Sequence, residues 1–176
     1  QDLYHGAFDL ARRLVADGLD VQEKVALFSD DSVEALVAEV GVQAAGGTLL
    51  LAPGGATLDD LGRMLELTHV RWFLHDEAHA ALAADLTRTF KNARTLRLPP
   101  LEAAPTTAGE TSAPDPDPLA SRLDWLGPGS PALVLFPGHR ADGLGVIWTQ
   151  ANLLGTGEAI AARVQADMDD TWLSLG

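Results

Sequence analysis

Short apolar runs alternate with stretches of helical length along the first half of this chain, and that alternation restricts the fold more than any other feature. The runs are VALFS at 25–29, TLLLA at 48–52, VRWFLH at 70–75 and ARTLRLP at 93–99. Between them lie DDSVEALVAEVGVQAAG at 30–46, TLDDLGRMLELTH at 57–69 and DEAHAALAADLTRTF at 76–90, whose apolar residues recur with helical period. Strands separated by helices must each return by a crossover. The sequence therefore predicts an α/β fold, a parallel-type sheet flanked by helices. A helix over 3–17 precedes the first run, with Leu3, Ala7, Leu10, Ala11, Leu14 and Val15 on one stripe and Gly18 placed to cap its end. Asp30, Asp31 or Ser32 can cap the second helix, and Thr57 the third, with Asp60 three residues on as in a capping box.

The stretch 99–118 reads PPLEAAPTTAGETSAPDPDP, proline-rich and without apolar period. It is expected to be a surface linker. It divides a first βα block at 1–98 from a segment at 119–176. That segment reads as a short helix at 119–126, a strand PALVLF at 131–136, a glycine-punctuated loop, an apolar run GVIWT at 145–149, a helix at 150–166 and a last strand TWLSL at 171–175.

With 12 basic and 25 acidic residues among 176, the net charge of −13 repels nucleic acid and anionic membranes alike. No apolar run approaches the roughly 20 residues that span a bilayer. There is no cysteine, which excludes disulfides, thiolate zinc sites and thiol catalysis. A cytoplasmic protein is the expectation, and both ends read as cut from a longer polypeptide.

The loop in FPGHRADGLGVIW at 136–148 has Gly138 and Gly143 at P-loop spacing, but Leu144 and Gly145 stand where a P-loop needs Lys and Ser or Thr. Its surroundings point elsewhere. The stretch 23–79, with VALFSDDSVEALVAEVGVQAAGG at its start, resembles the amino-terminal subdomain of acyl-CoA synthetases of the adenylate-forming superfamily. PALVLF followed by GVIWTQANLL at 131–154 is similar to that family's core strand, phosphate loop and Thr-His-x-Asn-Leu helix start. The resemblance implies ATP- and Mg²⁺-dependent activation of a carboxylic acid to an acyl-adenylate, with transfer to coenzyme A or a carrier-protein thiol. It further implies that Gly138, His139, Arg140, Gly143 and Gly145 occupy the phosphate loop.

The family loop reads Tyr-Thr-Ser-Gly-Thr-Thr-Gly-x-Pro-Lys-Gly. Aligned from both flanks, Phe136 takes the Tyr place, Gly138 the first Gly, His139 and Arg140 the two Thr, and Ala141 the second Gly. Gly143 then takes the Pro place, Leu144 the Lys and Gly145 the last Gly, with Pro137 standing alone where the family has two residues. The hydroxyls and the lysine are gone, and each lost charge-assisted contact weakens binding by roughly 1.5–3 kcal/mol. The favoured reading is a solvent-exposed turn in a catalytically inactive domain of an acyl-CoA-ligase type. Its role would be structural or interactive within a larger synthetase or a polyketide-synthase-like assembly line, its partners the rest of that polypeptide and an acyl carrier protein. No catalytic residue, metal ligand or cofactor is assigned to this chain alone. The alternative is the amino-terminal part of an active ATP- and Mg²⁺-dependent fatty acid ligase in which Arg140 replaces the lysine.

Other candidates have plainer explanations. His75 and His79 are four apart, but His75 falls at a strand-to-helix junction, so Asp76 is read as a helix cap and not as part of a metal site. Asp30, Asp31 and Ser32 follow a strand end, where α/β sheets place ligand groups, yet capping accounts for them. Ser29, Ser121 and Ser130 have no nominated base. Asp59-Asp60 and Asp169-Asp170 read as helix-start and turn residues, and Trp72, Trp125, Trp148 and Trp172 as core.

Overall fold

The computed structural model of the chain describes residues 2–30, 32–53, 55–99, 118–136 and 145–167. The first block alternates as the sequence predicts: α1 (Asp2–Ala16), β1 (Lys24–Phe28), α2 (Val33–Ala44), β2 (Thr48–Leu51), α3 (Leu58–Thr68), β3 (Trp72–His75), α4 (Ala80–Thr89) and β4 (Arg94–Arg97). Then follow α5 (Pro118–Leu123), β5 (Pro131–Leu135), β6 (Val146–Thr149) and α6 (Gln150–Val164). Linker residues 100–117 and the strand expected at 171–175, with Asp169, Asp170 and Trp172, lie outside the described residues, as does Asp31.

Local chemistry sets the boundaries. Ser32 is the N-cap of α2, its Oγ accepting from Ala35 N at 3.1 Å. Thr57 and Asp60 form the reciprocal capping box at the start of α3. Gly18 ends α1 as expected: its N–H donates to Val15 O at 3.0 Å and Leu19 N–H to Leu14 O at 2.9 Å, the paired bonds of a Schellman motif. One boundary differs. The helix expected from 76 begins at Ala80, because Asp76 caps a turn that precedes it, accepting from His79 N at 2.9 Å.

The six strands lie in the order β4-β3-β1-β2-β5-β6. All neighbours are parallel except β5 and β6, which pair antiparallel. β2 pairs with β5 through Leu49 opposite Leu133 and Leu50 opposite Val134, so residues from both sides of the proline-rich stretch enter one sheet. Two buried clusters cover the two faces. One joins Ala7, Leu10 and Leu14 of α1, Ala38 and Val42 of α2 and Leu119 of α5 to Val25, Leu49 and Leu74. The other joins Leu61, Met64 and Leu65 of α3 and Leu86 of α4 to Ala26, Leu50 and Phe73, with Phe73 edge-on to Phe28 at 5.7 Å and to Phe90 at 6.2 Å. Successive crossovers run to β2 on one side of β1 and, over the opposite face, to β3 on the other. The carboxyl ends of β1 and β3 thus form a topological switch point.

Tryptophan placement corrects one expectation. Trp72 is buried beneath the Arg94 guanidinium, 5.1 Å from its ring, and Trp148 is half-buried, but Trp125 is 75% exposed because the chain leaves α5 in turns that no described element covers.

α1 approaches α2 closely at Gly41, where a Cβ would lie 2.9 Å from Ala7 O and 3.1 Å from Leu10 Cδ2. Gly41→Ala should therefore destabilise the protein by about 1–2 kcal/mol, overpacking outweighing the gain in helix propensity. A lowered urea midpoint at unchanged slope is the expected result; an unchanged or raised midpoint would mean that α1 and α2 separate freely.

Candidate functional site

Two places combine polar chemistry with the carboxyl end of a strand. The first is the turn joining β5 to β6. The antiparallel register sets Leu135 opposite Val146 and Val134 opposite Ile147, so the residues that resemble a phosphate loop connect two adjacent strands at the sheet's edge. Gly138, His139, Arg140 and Gly143 lie outside the described residues, together with Pro137 and Leu144. The two flanks are placed. Phe136 is 7% exposed, and a Cβ on Gly145 would lie 3.1 Å from its Cζ and 3.2 Å from its Cε1. A side chain at 145 would therefore crowd the Phe136 ring, which would have to shift by a few tenths of an ångström.

Beyond the turn, Thr149 caps α6. Its Oγ1 accepts from Asn152 N at 3.3 Å, while Asn152 Oδ1 accepts from Thr149 N at 3.0 Å and from Thr149 Oγ1 at 2.9 Å. The Thr-x-x-Asn spacing of TQANLL is accounted for by this box. Gln150 N and Ala151 N donate to Ser130 O and Pro128 O, tying the helix start to the residues before β5.

The second place is the switch point. Asp76, following β3, accepts from Ser29 Oγ at 2.9 Å and from Asp30 N at 3.3 Å through one oxygen. Its other oxygen accepts from His79 N at 2.9 Å and lies 2.7 Å from His79 Nδ1. Nδ1 carries the hydrogen, since an ionised carboxylate can only accept. Partial burial pushes the Asp76 carboxyl up, but the donors from His79, Ser29 and Asp30 outweigh it and lower the pKa from 3.8 to about 2. Asp30 does not cap α2, contrary to one reading of the sequence; its backbone is tied to Asp76 and its exposed carboxylate lies 3.9 Å from His79 Nε2.

Asp30, Asp76 and His79 are the one group among the described residues whose geometry could hold a metal ion. Both Asp76 oxygens are already engaged by protein donors, leaving a cation only His79 Nε2 and Asp30. His75 points elsewhere, its Nδ1 2.8 Å from Asp76 O. Nor is there a nucleophile–base pair among the described residues of the switch point: Ser29 bonds to the carboxylate and not to the imidazole, with Asp76 in the middle. Ser121 and Ser130 are used locally, the first donating to Pro118 O and the second accepting from Gly127 N. The sequence flags Asp30 and Asp76 separately; their union spans 46 residues and depends on β1 lying beside β3, which no local signal gives.

These features define a class first: an open, doubly wound α/β sheet extended at one edge by an antiparallel pair of strands. The chain belongs to the AMP-binding enzyme family, whose model matches residues 1–175. Apo MatB from Rhodopseudomonas palustris is similar in structure, with 24% identity and a TM-score of 0.71 over 93% of this chain and 32% of that one. ATP-bound MatB from the same organism has 25% identity and a TM-score of 0.68, covering 91% and 31%. The fatty acyl-adenylate ligase from L. pneumophila, in complex with acyl adenylate and pyrophosphate, has 18% identity and a TM-score of 0.68, covering 94% and 27%. The chain thus spans about a third of the length of such structures or less. No curated protein matches it. Among the described residues, no helix is long and apolar enough to cross a membrane.

The Asp76 tie gives a pH-dependent prediction. A carboxyl lowered from 3.8 to about 2 stabilises the fold above pH 4, and that contribution disappears as the pH falls through 2. Asp76→Asn should cost about 1–3 kcal/mol at pH 7. In urea titrations the gap between variant and wild type should close between pH 4 and pH 2; a gap independent of pH would show that the ionised carboxylate is not what joins the two loops.

Proposed function

We propose that this chain is a catalytically inactive adenylate-forming ligase domain that serves a structural or interaction role within a larger synthetase or assembly-line protein. The observation that carries this reading is the chemistry of residues 137–144, PGHRADGL. A triphosphate needs backbone donors, hydroxyls and a cation at the pyrophosphate. Here Pro137 removes a donor, no hydroxyl is present, Leu144 is apolar, and the one cationic side chain, Arg140, is offset by Asp142. These residues do not fit Mg·ATP. Partners on this reading are the remainder of the polypeptide and an acyl carrier protein, the setting is cytoplasmic, and a fatty or aryl acid substrate belongs only to the active alternative. That alternative is favoured by Arg140, a guanidinium that can pair with phosphate in place of the lysine.

Calorimetric titration of Mg·ATP, with pyrophosphate exchange across a panel of carboxylic acids, tests the choice. Loss of two charge-assisted contacts predicts binding weaker by roughly 100-fold or more than a lysine-bearing loop provides, and no exchange. Leu144→Lys should restore about 10-fold in ATP affinity. Exchange at rates typical of ligases, in this chain or in a natural polypeptide that contains it, and abolished by Arg140→Ala, would overturn the inactive reading.

A further inference from the structure

The polar side chains buried among the described residues are those of Thr48, Thr68, His75 and Ser130. Three have their hydroxyls in use: Thr48 Oγ1 donates to Pro131 O, Thr68 Oγ1 donates to Met64 O, and Ser130 Oγ accepts from Gly127 N. His75, only 8% exposed, uses one ring nitrogen of two, with Nδ1 lying 2.8 Å from Asp76 O. A carbonyl oxygen can only accept, so Nδ1 carries the hydrogen and Nε2 of the neutral ring presents a lone pair. No described residue donates to it. Among the described residues, the side-chain atom that is both sealed from solvent and without a partner is Arg122 Nη1, so His75 Nε2 is not sealed. It opens on a cavity of about 380 Å³ that His75 lines with Ala80, Ala83 and Ala84 of α4 and Thr95 of β4.

That lining selects a class of ligand. It contains no carboxylate, and His75 alone would leave a metal ion with one good ligand beside the Arg88 guanidinium. Arg88 is itself paired with Asp85, which removes most of its attraction for an anion. What is left is a lone pair, the Thr95 hydroxyl and a wall of methyl groups, in a volume at the small end of the range for ligand pockets, about 300–1,000 Å³. We propose that this cavity binds a small uncharged molecule carrying a hydroxyl on an apolar ring, a phenol in the simplest case. The O–H donates to His75 Nε2, the ring lies against Ala80, Ala83 and Ala84, and Thr95 Oγ1 adds a second hydrogen bond. Because Asp76 O fixes the tautomer, the acceptor is in place before any ligand arrives. The cavity stands toward the β3–β4 side of the sheet, away from the β5–β6 connection, and its occupation does not depend on whether that turn binds ATP.

The test titrates phenol into the 176-residue chain, with toluene as a ring of similar shape that lacks the donor, and follows the ¹⁵N resonances of His75. Phenol should bind in the millimolar range, at least about 10-fold more tightly than toluene, and should move the His75 Nε2 resonance upfield as that nitrogen gains a hydrogen bond. His75→Phe, which keeps a ring and removes the acceptor, should abolish the preference for phenol. Thr95→Val, at an exposed strand position that leaves the core intact, should weaken phenol by about 5-fold while leaving toluene unchanged. Equal binding of phenol and toluene, or phenol binding that leaves the Nε2 resonance in place, would overturn the proposal. So would an Nε2 already hydrogen-bonded in the free chain, for instance to residues 100–117, which follow β4 outside the described residues.

Discussion

Everything else in this molecule depends on β1 being buried on both faces. Val25 to Phe28 are all buried, with α1 and α2 supplying apolar side chains to one face and α3 and α4 to the other. A strand in that position cannot alternate polar and apolar residues, which is why KVALF and WFLH read as continuous apolar runs. It also cannot satisfy its backbone with water, so a parallel neighbour is needed on each side, and β2 and β3 provide them. Because the crossovers to those neighbours leave in opposite directions, a polar gap opens at the carboxyl ends of β1 and β3. Ser29, Asp30, Asp76 and His79 close that gap with hydrogen bonds.

Most of the architecture was legible because periodicity and capping are local. Thr57 with Asp60, Ser32 and Gly18 sit where their residue types place them, and the strand runs are recognisable by length and β-branched or aromatic content. What could not be read is whatever depends on distant segments meeting. The strand order, the antiparallel sense of β6 and the Asp30–Asp76 tie all require knowing which runs become neighbours. The late start of α4 has the same origin. Asp76 spends its capping capacity on His79 and on the loop after β1, so the helix can begin only after that turn. Trp125 was misassigned because burial of a single aromatic beside a short helix is decided by what packs over it, not by its sequence neighbours.

The switch point illustrates how the same geometry can serve structure in place of chemistry. Carboxyl ends of parallel strands collect loops, and loops with Asp, Ser and His offer groups that could bind a ligand. Here each of those groups has an intramolecular partner, and the depressed Asp76 carboxyl reports the number of donors it accepts. An aspartate that already holds two backbone amides, a hydroxyl and an imidazole is a clamp between β1 and β3.

The flanks of the β5–β6 connection have structural roles of their own. Phe136, Gly145, Thr149 and Asn152 all have structural roles: a ring that packs closely against the glycine, and a reciprocal cap that starts α6. These are flanks on which the resemblance to adenylate-forming ligases rests, and their roles in the fold do not involve ATP. Aligned with the family loop, Leu144 stands at the Lys place and His139 and Arg140 at the two Thr places. The resemblance at this end of the chain therefore rests on flanking residues that also have structural roles, while Leu144 differs from the family loop at its Lys place.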